Sequence, residues 1–396
     1  MNTLHKRCLE EHETCSVAFS GNRSCRYLQP VLRALLVGLV GVSLKLQLPL
    51  PAQAEVTKAH TGGGFSVSGT KIYNPQGQEF VIKGVNIHGP NAPWPDDLTQ
   101  PVHLDNIANC WKFNLVRVNS RILPTGQGTV YTDNNDTDKL VNAFTKRGIV
   151  VMFDAHDRTG GYYEAEDGSL QKLKSWYREL AQKHKDNPYV WFNVMNEPGV
   201  ARKPDQILPD KKKWLTVHRE VIQVIREQVG AKNIIVVDGA AWGQDAASWD
   251  AEPIPQQNSA ILQYAEDVID FNGKTYPNII FAVHPYDQYN RGDTQQVKNQ
   301  RLADYFDRVR AQDLVIMVGE FGSKNNREDT TPVVEAIYRT AVPRGIGRIV
   351  WNWWGGDKND LTTSGNGGGW HINSCTNPTN LTWLGEQVWR DTHSEQ

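Results

Sequence analysis

The segment Tyr189–Asn196 reads YVWFNVMN, a nearly continuous run of apolar residues that is followed at once by Glu197 and Pro198. A run of this length without polar alternation is typical of a β-strand buried on both faces, as parallel strands are under covering helices. A glutamate that closes such a run lies at the carboxyl end of the strand. The segment therefore predicts a parallel α/β fold with polar side chains at its strand ends.

Seven further runs of the same kind recur along the chain, and amphipathic helix patterns separate most of them. The eight runs are Val81–His88, Phe113–Val118, Gly148–His156, Tyr189–Asn196, Asn233–Gly239, Asn278–Tyr286, Leu314–Gly322 and Ile346–Trp354. Eight strands alternating with helices favour a single closed (β/α)8 TIM barrel over residues 55–396. An open doubly wound sheet is the alternative, but no G-x-G-x-x-G pattern follows the first run.

A short alternating stretch, Phe65–Tyr73, precedes the first barrel run and is followed by the turn sequence Asn74–Gly77. Alternation of apolar and polar residues is typical of a strand with one buried face. We interpret this stretch as an N-terminal β-hairpin that closes the floor of the barrel.

Residues 1–54 have the pattern of a signal peptide rather than of a folded domain. Arginines precede the apolar run Ala34–Leu44, and Pro51–Ala54 contains an A-x-A cleavage pattern. The apolar run is too short to span a bilayer stably, so we expect no stable membrane association. The sequence predicts cleavage after Ala54 and a secreted or periplasmic protein that begins at Glu55.

Composition excludes several other classes of protein. The formal net charge of the 396 residues is −2, so no basic field favours nucleic acid, and we expect a monomer that needs no cofactor. Outside the leader the chain has two cysteines, Cys110 and Cys375. Export would permit a disulfide between them, but two buried free thiols are equally compatible with the sequence. No Cys/His cluster has the spacing of a zinc site, and we predict no metal.

Polar residues collect where the predicted strands end, which is where barrel enzymes build their active sites. Arg117 and His156 are 39 residues apart, while His156 to Glu197 and Glu197 to Asp238 are 41 each. Glu197 and Glu320 are separated by 123 residues, which is three such steps. We therefore place the two glutamates at the ends of the fourth and seventh strands, facing each other across the barrel mouth. We assign Asp238 only to a loop hydrogen bond.

Three motifs in this order, Asn196-Glu197-Pro198, His284-Pro285-Tyr286 and Gly319-Glu320-Phe321-Gly322, resemble glycoside hydrolase family 5, the cellulase and mannanase family. The resemblance extends over roughly Phe65 to Trp389. It implies that Glu197 is the acid/base and Glu320 the nucleophile of a retaining hydrolase. The side chains expected to bind substrate are those of Arg117, His156, Asn196, Trp242, His284, Tyr286 and Trp351. Trp94, Trp353 and Trp354 are further candidates for stacking against sugar rings.

The expected substrate is a plant-type polysaccharide, either β-mannan or β-glucan, cut internally. The segments His156–Gly160 and Trp242–Asp245 resemble the bacterial β-mannanase branch, whereas the loop Gly355–Trp370 departs from it. A non-catalytic carbohydrate-binding barrel is the alternative function, although a pure binder needs no pair of glutamates. The chain lacks the G-x-S-x-G motif, which disfavours an esterase.

Overall fold

The computed structural model describes residues 63–88, 98–123, 134–200, 211–246, 253–254, 256–326, 328–356, 359–364 and 367–394. These residues belong to one compact unit, Val56–Gln396. The predicted leader, its cleavage site and Trp94 lie outside the described residues.

Eight parallel strands form a barrel: β3 Lys83–His88, β4 Leu115–Ser120, β5 Val150–Ala155, β6 Val190–Asn193, β7 Ile235–Asp238, β10 Ile279–Val283, β11 Ile316–Phe321 and β14 Arg348–Val350. They close in the order β10-β11-β14-β3-β4-β5-β6-β7, and β7 pairs with β10. Seven of the eight predicted runs contain one of these strands and the run Phe113–Val118 overlaps β4, which confirms the (β/α)8 barrel. Neighbouring pairs are in regular register except β11 and β14, where the register shifts between Val318 and Phe321.

The interior of the barrel is divided into an apolar lower part and a polar mouth. Alternate strand residues such as Leu115, Met152, Trp191 and Met317 form the lower cluster. The residues that follow them on the same face, toward the carboxyl ends of the strands, are polar and buried. Because side chains alternate along a strand, this inner face and the outer, helix-covered face are both filled.

The N-terminal hairpin covers the apolar lower end, as predicted. Its strands are β1 Ser66–Ser68 and β2 Lys71–Tyr73, which pair antiparallel. Phe65 packs edge-to-face against Trp191 with ring centroids 5.1 Å apart, and this contact closes the barrel floor. The hairpin turn lies between β1 and β2, earlier than expected. The predicted turn at Asn74–Gly77 also exists, but it leads only to a single bridge between Tyr73 and Glu79.

Helices surround the barrel and bury the apolar stripes that the sequence predicts. They are α1 Pro101–Asp105, α2 Asn134–Thr145, α3 Ser169–His184, α4 Lys211–Gln223, α5 Ala260–Ile269, α6 Gln295–Arg310, α7 Thr331–Ala341 and α8 Trp383–His393. Two of these helices, α5 and α8, show how the sequence begins a helix. Both begin with a side-chain cap, in which Ser259 accepts from the Leu262 amide and Thr382 from the Gly385 amide.

The loops contain two further antiparallel pairs of short strands. They are β8 Asp270–Phe271 with β9 Lys274–Thr275, and β12 Lys324–Asn325 with β13 Glu328–Asp329. No helix among the described residues has both the length and the apolar character needed to cross a membrane.

A disulfide joins Cys110 to Cys375, which resolves the alternative that the sequence left open. Cys110 is fully buried in a π-helical turn that continues α1, whereas Cys375 is exposed in the long loop between β14 and α8. The two residues are 265 positions apart. A hydrogen bond from the Trp111 indole to the Gly369 carbonyl, 2.9 Å long, fastens the same loop to the same turn.

Candidate active site

The mouth of the barrel holds a layer of buried polar side chains, each from a barrel strand or from the residue that follows one. They are Asn86, Arg117, Asn119, Asp154, Asn193, Asp238, His284 and Glu320. Burying this many polar groups together is tolerable only if they hydrogen-bond to one another. The layer is therefore a single network, and its contacts decide which groups are charged.

Arg117 is the central cation of the network and is completely buried on β4. Its guanidinium lies 2.6 Å from Glu320 Oε1, 2.9 Å from Asp154 Oδ2 and 3.4 Å from Asp238 Oδ2. Burial alone would lower the pKa of Arg117, but these three carboxylates outweigh that effect and raise it. Its remaining donors bind the side-chain oxygens of Asn86, Asn193 and Asn196. A permanent cation is thus held beside Glu320.

Glu320 projects into the mouth because of an irregularity in β11. One extra residue on β11 separates its pairings with β14, so Gly319 and Glu320 both face the interior. Gly319 leaves the space that His284 occupies, since a Cβ there would lie 2.7 Å from His284 Nε2. Glu320 accepts hydrogen bonds from Arg117 and, at 3.5 Å, from the Tyr286 hydroxyl. Burial raises the pKa of Glu320, while the Arg117 charge opposes this.

Glu197 follows β6 and approaches the mouth from the opposite side. Its φ of 47° lies in the left-handed region, which is costly for a residue with a side chain and is often found at functional sites. Its amide donates to Asp238 Oδ2 over 3.3 Å. Burial and the negative charge of Glu320 raise the pKa of Glu197 well above its usual value. The surroundings of the two glutamates therefore differ: hydrogen-bond donors surround Glu320, whereas a neutral, protonated state is favoured for Glu197.

The two carboxyl groups are close enough to act on one bond. An oxygen of Glu197, an oxygen of Glu320 and a ring nitrogen of His284 all lie within 4.8 Å of one another. These residue types also bind divalent cations. Both carboxylates are already bound by Arg117 or His284, however, and two carboxyl groups suffice for glycoside hydrolysis. We therefore retain the prediction that the site needs no metal.

His284 connects Glu197 to a buried aspartate that the sequence did not assign to the site. Its Nδ1 lies 3.0 Å from Glu197 Oε1, and its Nε2 lies 3.4 Å from Asp238 Oδ2. Burial, together with the charge of Arg117, lowers the pKa of His284 and keeps the ring neutral. Burial raises the pKa of Asp238 to about 7, against the opposing effect of Arg117. Asp238 thus accepts hydrogen bonds from Asn193 and from the Glu197 amide, so its role in the network is wider than the single loop hydrogen bond that the sequence indicates.

His156 and Trp351 form one wall of the mouth. Their rings stack with centroids 5.7 Å apart and an interplanar angle of 13°. His156 Nδ1 lies 2.8 Å from Asp154 Oδ2, which orients the ring. His156 Nε2 lies 3.5 Å from the side-chain nitrogen Nδ2 of Asn196. The same Nδ2 also donates to Thr159 Oγ1 over 2.8 Å. Asn196 is therefore held between Arg117 and this wall.

Trp242 lies on the loop after β7, which covers the side of the mouth where Glu197 lies. Its side chain is 37% exposed, and its amide donates to the Gly199 carbonyl over 2.9 Å. The next residue, Gly243, packs directly on the site, since a Cβ there would lie 2.8 Å from the His284 ring and 3.0 Å from Glu197 Cγ. The structure thus brings all nine predicted site residues to the same end of the barrel.

Comparison with known proteins agrees with this geometry. Residues 73–357 match the family model described as Cellulase (glycosyl hydrolase family 5). The chain belongs to glycosyl hydrolase family 5. It is therefore a glycoside hydrolase, which decides against the non-catalytic binding barrel.

Individual relatives in the family include mannanases and endoglucanases. A mannan endo-1,4-beta-mannosidase of Cellvibrio japonicus is 27% identical over 345 residues, which cover 85% of this chain and 68% of that protein. Endoglucanase E-5 of Thermobifida fusca is 26% identical over 303 residues, covering 74% of this chain and 56% of that protein. The catalytic domain of a Streptomyces sp. SirexAA-E mannanase superimposes with a TM-score of 0.60 at 23% identity, covering 86% and 93% of the two chains. This last likeness supports the barrel fold.

Sequence reasoning missed the network residues Asn86, Asn193 and Asp154, which touch Arg117 or its partners in this family 5 chain. The available signal was an amide or carboxylate in the middle of a Val/Ile/Phe run, as in Val85-Asn86-Ile87 and Phe192-Asn193-Val194. Such a residue at a buried strand position needs a polar partner, and that partner is Arg117.

The tryptophans expected to stack on sugar rings have different surroundings. The prediction for Trp353 is wrong, because its side chain is fully buried and its indole donates to His103 Nδ1 over 3.1 Å. Trp354 is half-buried and contacts Trp370 edge-on, with centroids 4.7 Å apart. Trp351 and Trp242 are partly exposed at the mouth and remain the candidates for stacking.

Proposed function

We propose that this chain is a secreted, retaining endo-β-1,4-glycanase that hydrolyses β-mannan or β-glucan. The observation that carries the mechanism is the pair Glu197 and Glu320, with carboxylate oxygens within 4.8 Å of each other in unlike surroundings. Carboxyl groups about 5–5.5 Å apart are typical of retaining enzymes, whereas inverting enzymes need about 6.5–9.5 Å to admit a water molecule.

In the first step Glu320 attacks the anomeric carbon while Glu197 gives its proton to the glycosidic oxygen. The carbon–oxygen bond to the leaving sugar breaks and an ester bond to Glu320 forms. The raised pKa of Glu197 keeps that proton available, because burial and the Glu320 charge disfavour the ionised form. Arg117 stabilises the Glu320 carboxylate before attack and limits its protonation.

In the second step Glu197 acts as a base instead of an acid. Glu197, now a carboxylate, takes a proton from water, and the resulting hydroxide attacks the anomeric carbon from the face the leaving group vacated. The ester bond breaks, Glu320 returns to its ionised form, and the product has the original configuration. Loss of the Glu320 charge in the intermediate lowers the pKa of Glu197. Glu197 therefore stays ionised at this stage and is free to act as the base.

His284 supports the acid form of Glu197. A neutral imidazole with its proton on Nε2, facing Asp238, presents an Nδ1 lone pair to the protonated Glu197 over 3.0 Å. This arrangement orients the acid and leaves it uncharged. His284 and Asp238 thus act as positioning residues.

The substrate contacts follow from the walls of the mouth. Asn196 lies beside Glu197 and is proposed to hydrogen-bond the sugar 2-OH, a contact that strengthens in the transition state. Trp351 follows β14, which pairs with β11, the strand of Glu320, and its ring stacks on His156 in the wall of the mouth. It is proposed to stack on the sugar that becomes attached to Glu320.

Mannan and glucan are both retained as substrates because relatives of both activities match the chain. Reducing-sugar assays on carboxymethylcellulose, galactomannan and xylan identify the main chain that is cut. A rapid fall in viscosity at low bond cleavage would establish endo action. Proton NMR of the first-formed product reports its configuration, and an inverted anomer would exclude the proposed mechanism.

Variants of the two glutamates separate their roles. Glu197→Gln should cleave natural polymer very slowly but still react with aryl oligosaccharides whose dinitrophenolate leaving group needs no proton. Glu320→Gln should fail on both substrates, because no nucleophile remains. Equal losses on both substrates in Glu197→Gln would contradict its assignment as the acid.

Secretion as a monomer completes the proposal. The disulfide supports export, since such bonds persist in oxidising compartments and are rare in the cytosol. A single barrel with a complete site requires no partner for the chemistry, and sedimentation analysis of the purified protein measures the oligomeric state.

A further inference from the structure

A polar recess adjoins the proposed active site and has no role in the chemistry described above. It is a cavity of about 610 Å³ beside the segments that follow β4 and β5, at the start of α3. Its inner wall is formed by His156 and Thr159, both of which contact Asn196. The recess therefore opens next to the residue proposed to hold the sugar 2-OH.

Cationic side chains outnumber carboxylates around this recess. Arg121, Arg158 and Lys172 line it together with two aspartates, Asp157 and Asp167. Arg121 and Lys172 are exposed and Arg158 is partly exposed, so their charges are within reach of a ligand in solvent.

Both aspartates already accept hydrogen bonds from other groups of the protein. Asp157 Oδ2 accepts from the amides of Ile122 and Leu123, at 2.6 and 3.3 Å, and burial raises the pKa of this carboxyl group. Asp167 accepts from Arg158 over 2.5 Å and from the Ser169 amide over 2.8 Å. Asp157 also interacts electrostatically with Arg121. Among the described lining residues, three cationic side chains thus face two carboxylates, which gives this part of the lining a net positive charge.

We propose that this recess is a subsite for a carboxylate-bearing branch, such as a uronic acid, on a main-chain sugar next to the one whose 2-OH Asn196 holds. The proposal rests on the proposed function, because it uses the position of Asn196 relative to that sugar. A branch that leaves the neighbouring sugar toward this wall would reach His156 and Thr159. The cavity volume is within the range of pockets that bind small molecules. Ion pairs with Lys172 and Arg121 supply the preference for an anion.

The test compares polymers that share a main chain but differ in the charge of the substituent. Carboxymethyl guar is paired with hydroxypropyl guar, and carboxymethylcellulose with hydroxyethylcellulose, each pair matched in length and degree of substitution. The variant is the double substitution Lys172→Gln with Arg121→Gln. The matched control is Lys232→Gln, an exposed lysine that precedes β7 at the opposite end of the barrel.

We expect the ratio of kcat/KM on the anionic polymer to kcat/KM on the neutral polymer to fall roughly three- to tenfold in the double variant, as for two exposed ion pairs. Activity on the neutral polymer and both activities of Lys232→Gln should stay at wild-type values. The wild-type ratio should also fall as salt rises, because exposed ion pairs are screened. An unchanged ratio, or an equal loss on both polymers, would overturn the anionic subsite.

Binding measured without cleavage keeps this test separate from that of the proposed function. Glu320→Ala protein, with and without the double substitution, is run through gels that contain carboxymethylcellulose or hydroxyethylcellulose at pH 7. The formal net charge is −2, so non-specific attraction to the anionic polymer is not expected. Selective retardation that the double substitution abolishes supports the subsite even if catalysis proves different. Retardation that persists in the double variant refutes the subsite even if the enzyme is the proposed hydrolase.

Discussion

Replacing the Glu320 carboxylate by the isosteric amide in Glu320→Gln should lower the pKa of Glu197. An oxygen of each side chain lies within 4.8 Å of the other. Two unit charges at that distance interact by about 3.5 kcal/mol at an effective dielectric constant of about 20, and by about 0.9 kcal/mol in water. Because a change of one pKa unit corresponds to about 1.36 kcal/mol, these two energies correspond to changes in pKa of about 2.5 and about 0.6. We expect a fall of about 1–2 units.

Two further features of the structure refine this expectation. Arg117 loses its charged partner 2.6 Å away in Glu320→Gln, so its positive charge acts more strongly on Glu197 and lowers the pKa further. Burial, the largest cause of the shift, remains, as does the charge of Asp238. The pKa of Glu197 should therefore fall but stay above the value of about 4.3 for an exposed glutamate.

The measurement is a carbon-13 NMR titration of protein labelled at the glutamate side-chain carboxyl carbons. The signal of Glu197 is assigned by its absence in Glu197→Gln. Glu386→Gln, which changes an exposed residue of α8, serves as the control and should leave the midpoint unchanged. A midpoint that is unchanged or higher in Glu320→Gln would show that the two carboxyl groups are not coupled, and would refute the acid and nucleophile pairing.

The same coupling fixes the sign of the pH dependence of activity. Glu197 must be protonated to release the leaving group, so activity should fall as the pH rises through its elevated pKa. Glu320 must be ionised to attack, so activity should fall as the pH drops through its pKa. The ratio kcat/KM should consequently have a bell-shaped pH profile whose basic limb belongs to Glu197.

Three other predictions address the nucleophile, the disulfide and the leader. Glu320→Ala should abolish turnover, and azide should restore it with product of inverted configuration, because the small anion attacks from the vacated face; wild-type-like rates without azide would rule out the assignment. Replacing Cys110 and Cys375 by serine opens a loop of 265 residues and should lower the free energy of unfolding in guanidinium chloride by up to about 5 kcal/mol, whereas an unchanged value would mean that the bond contributes nothing. Mass spectrometry of exported protein should find Glu55 at the N-terminus after cleavage behind Ala54, and a full-length cytoplasmic product would contradict this.

Local sequence was sufficient to predict the architecture and to place the two glutamates at strand ends. A run such as Tyr189–Asn196 favours a buried strand, because its residue types and length are typical of one, and eight such runs alternating with helix patterns lead to a barrel. Glu197 and Glu320 were identifiable because a carboxylate that ends an apolar run is rarely there by chance. The motifs around them specified the family.

Only the tertiary structure decided which polar groups meet. Arg117 contacts Asp154, Asp238 and Glu320, three residues far apart in the chain, because strand register and barrel closure bring those strands around it. The extra residue in β11 that turns Glu320 inward is visible only once β14 pairs beside it. The disulfide likewise depends on where the last long loop returns.

The difference has a simple physical reason. Strand and helix patterns depend on neighbours within a few residues, and apolar burial is encoded residue by residue. Charge states and hydrogen bonds depend on distances of about 3 Å between distant segments, and a one-residue change of register alters all of them. The sequence by itself therefore determined the barrel and predicted the pair of glutamates, while the closed barrel determined the network in which burial and charge act differently on the two carboxyl groups.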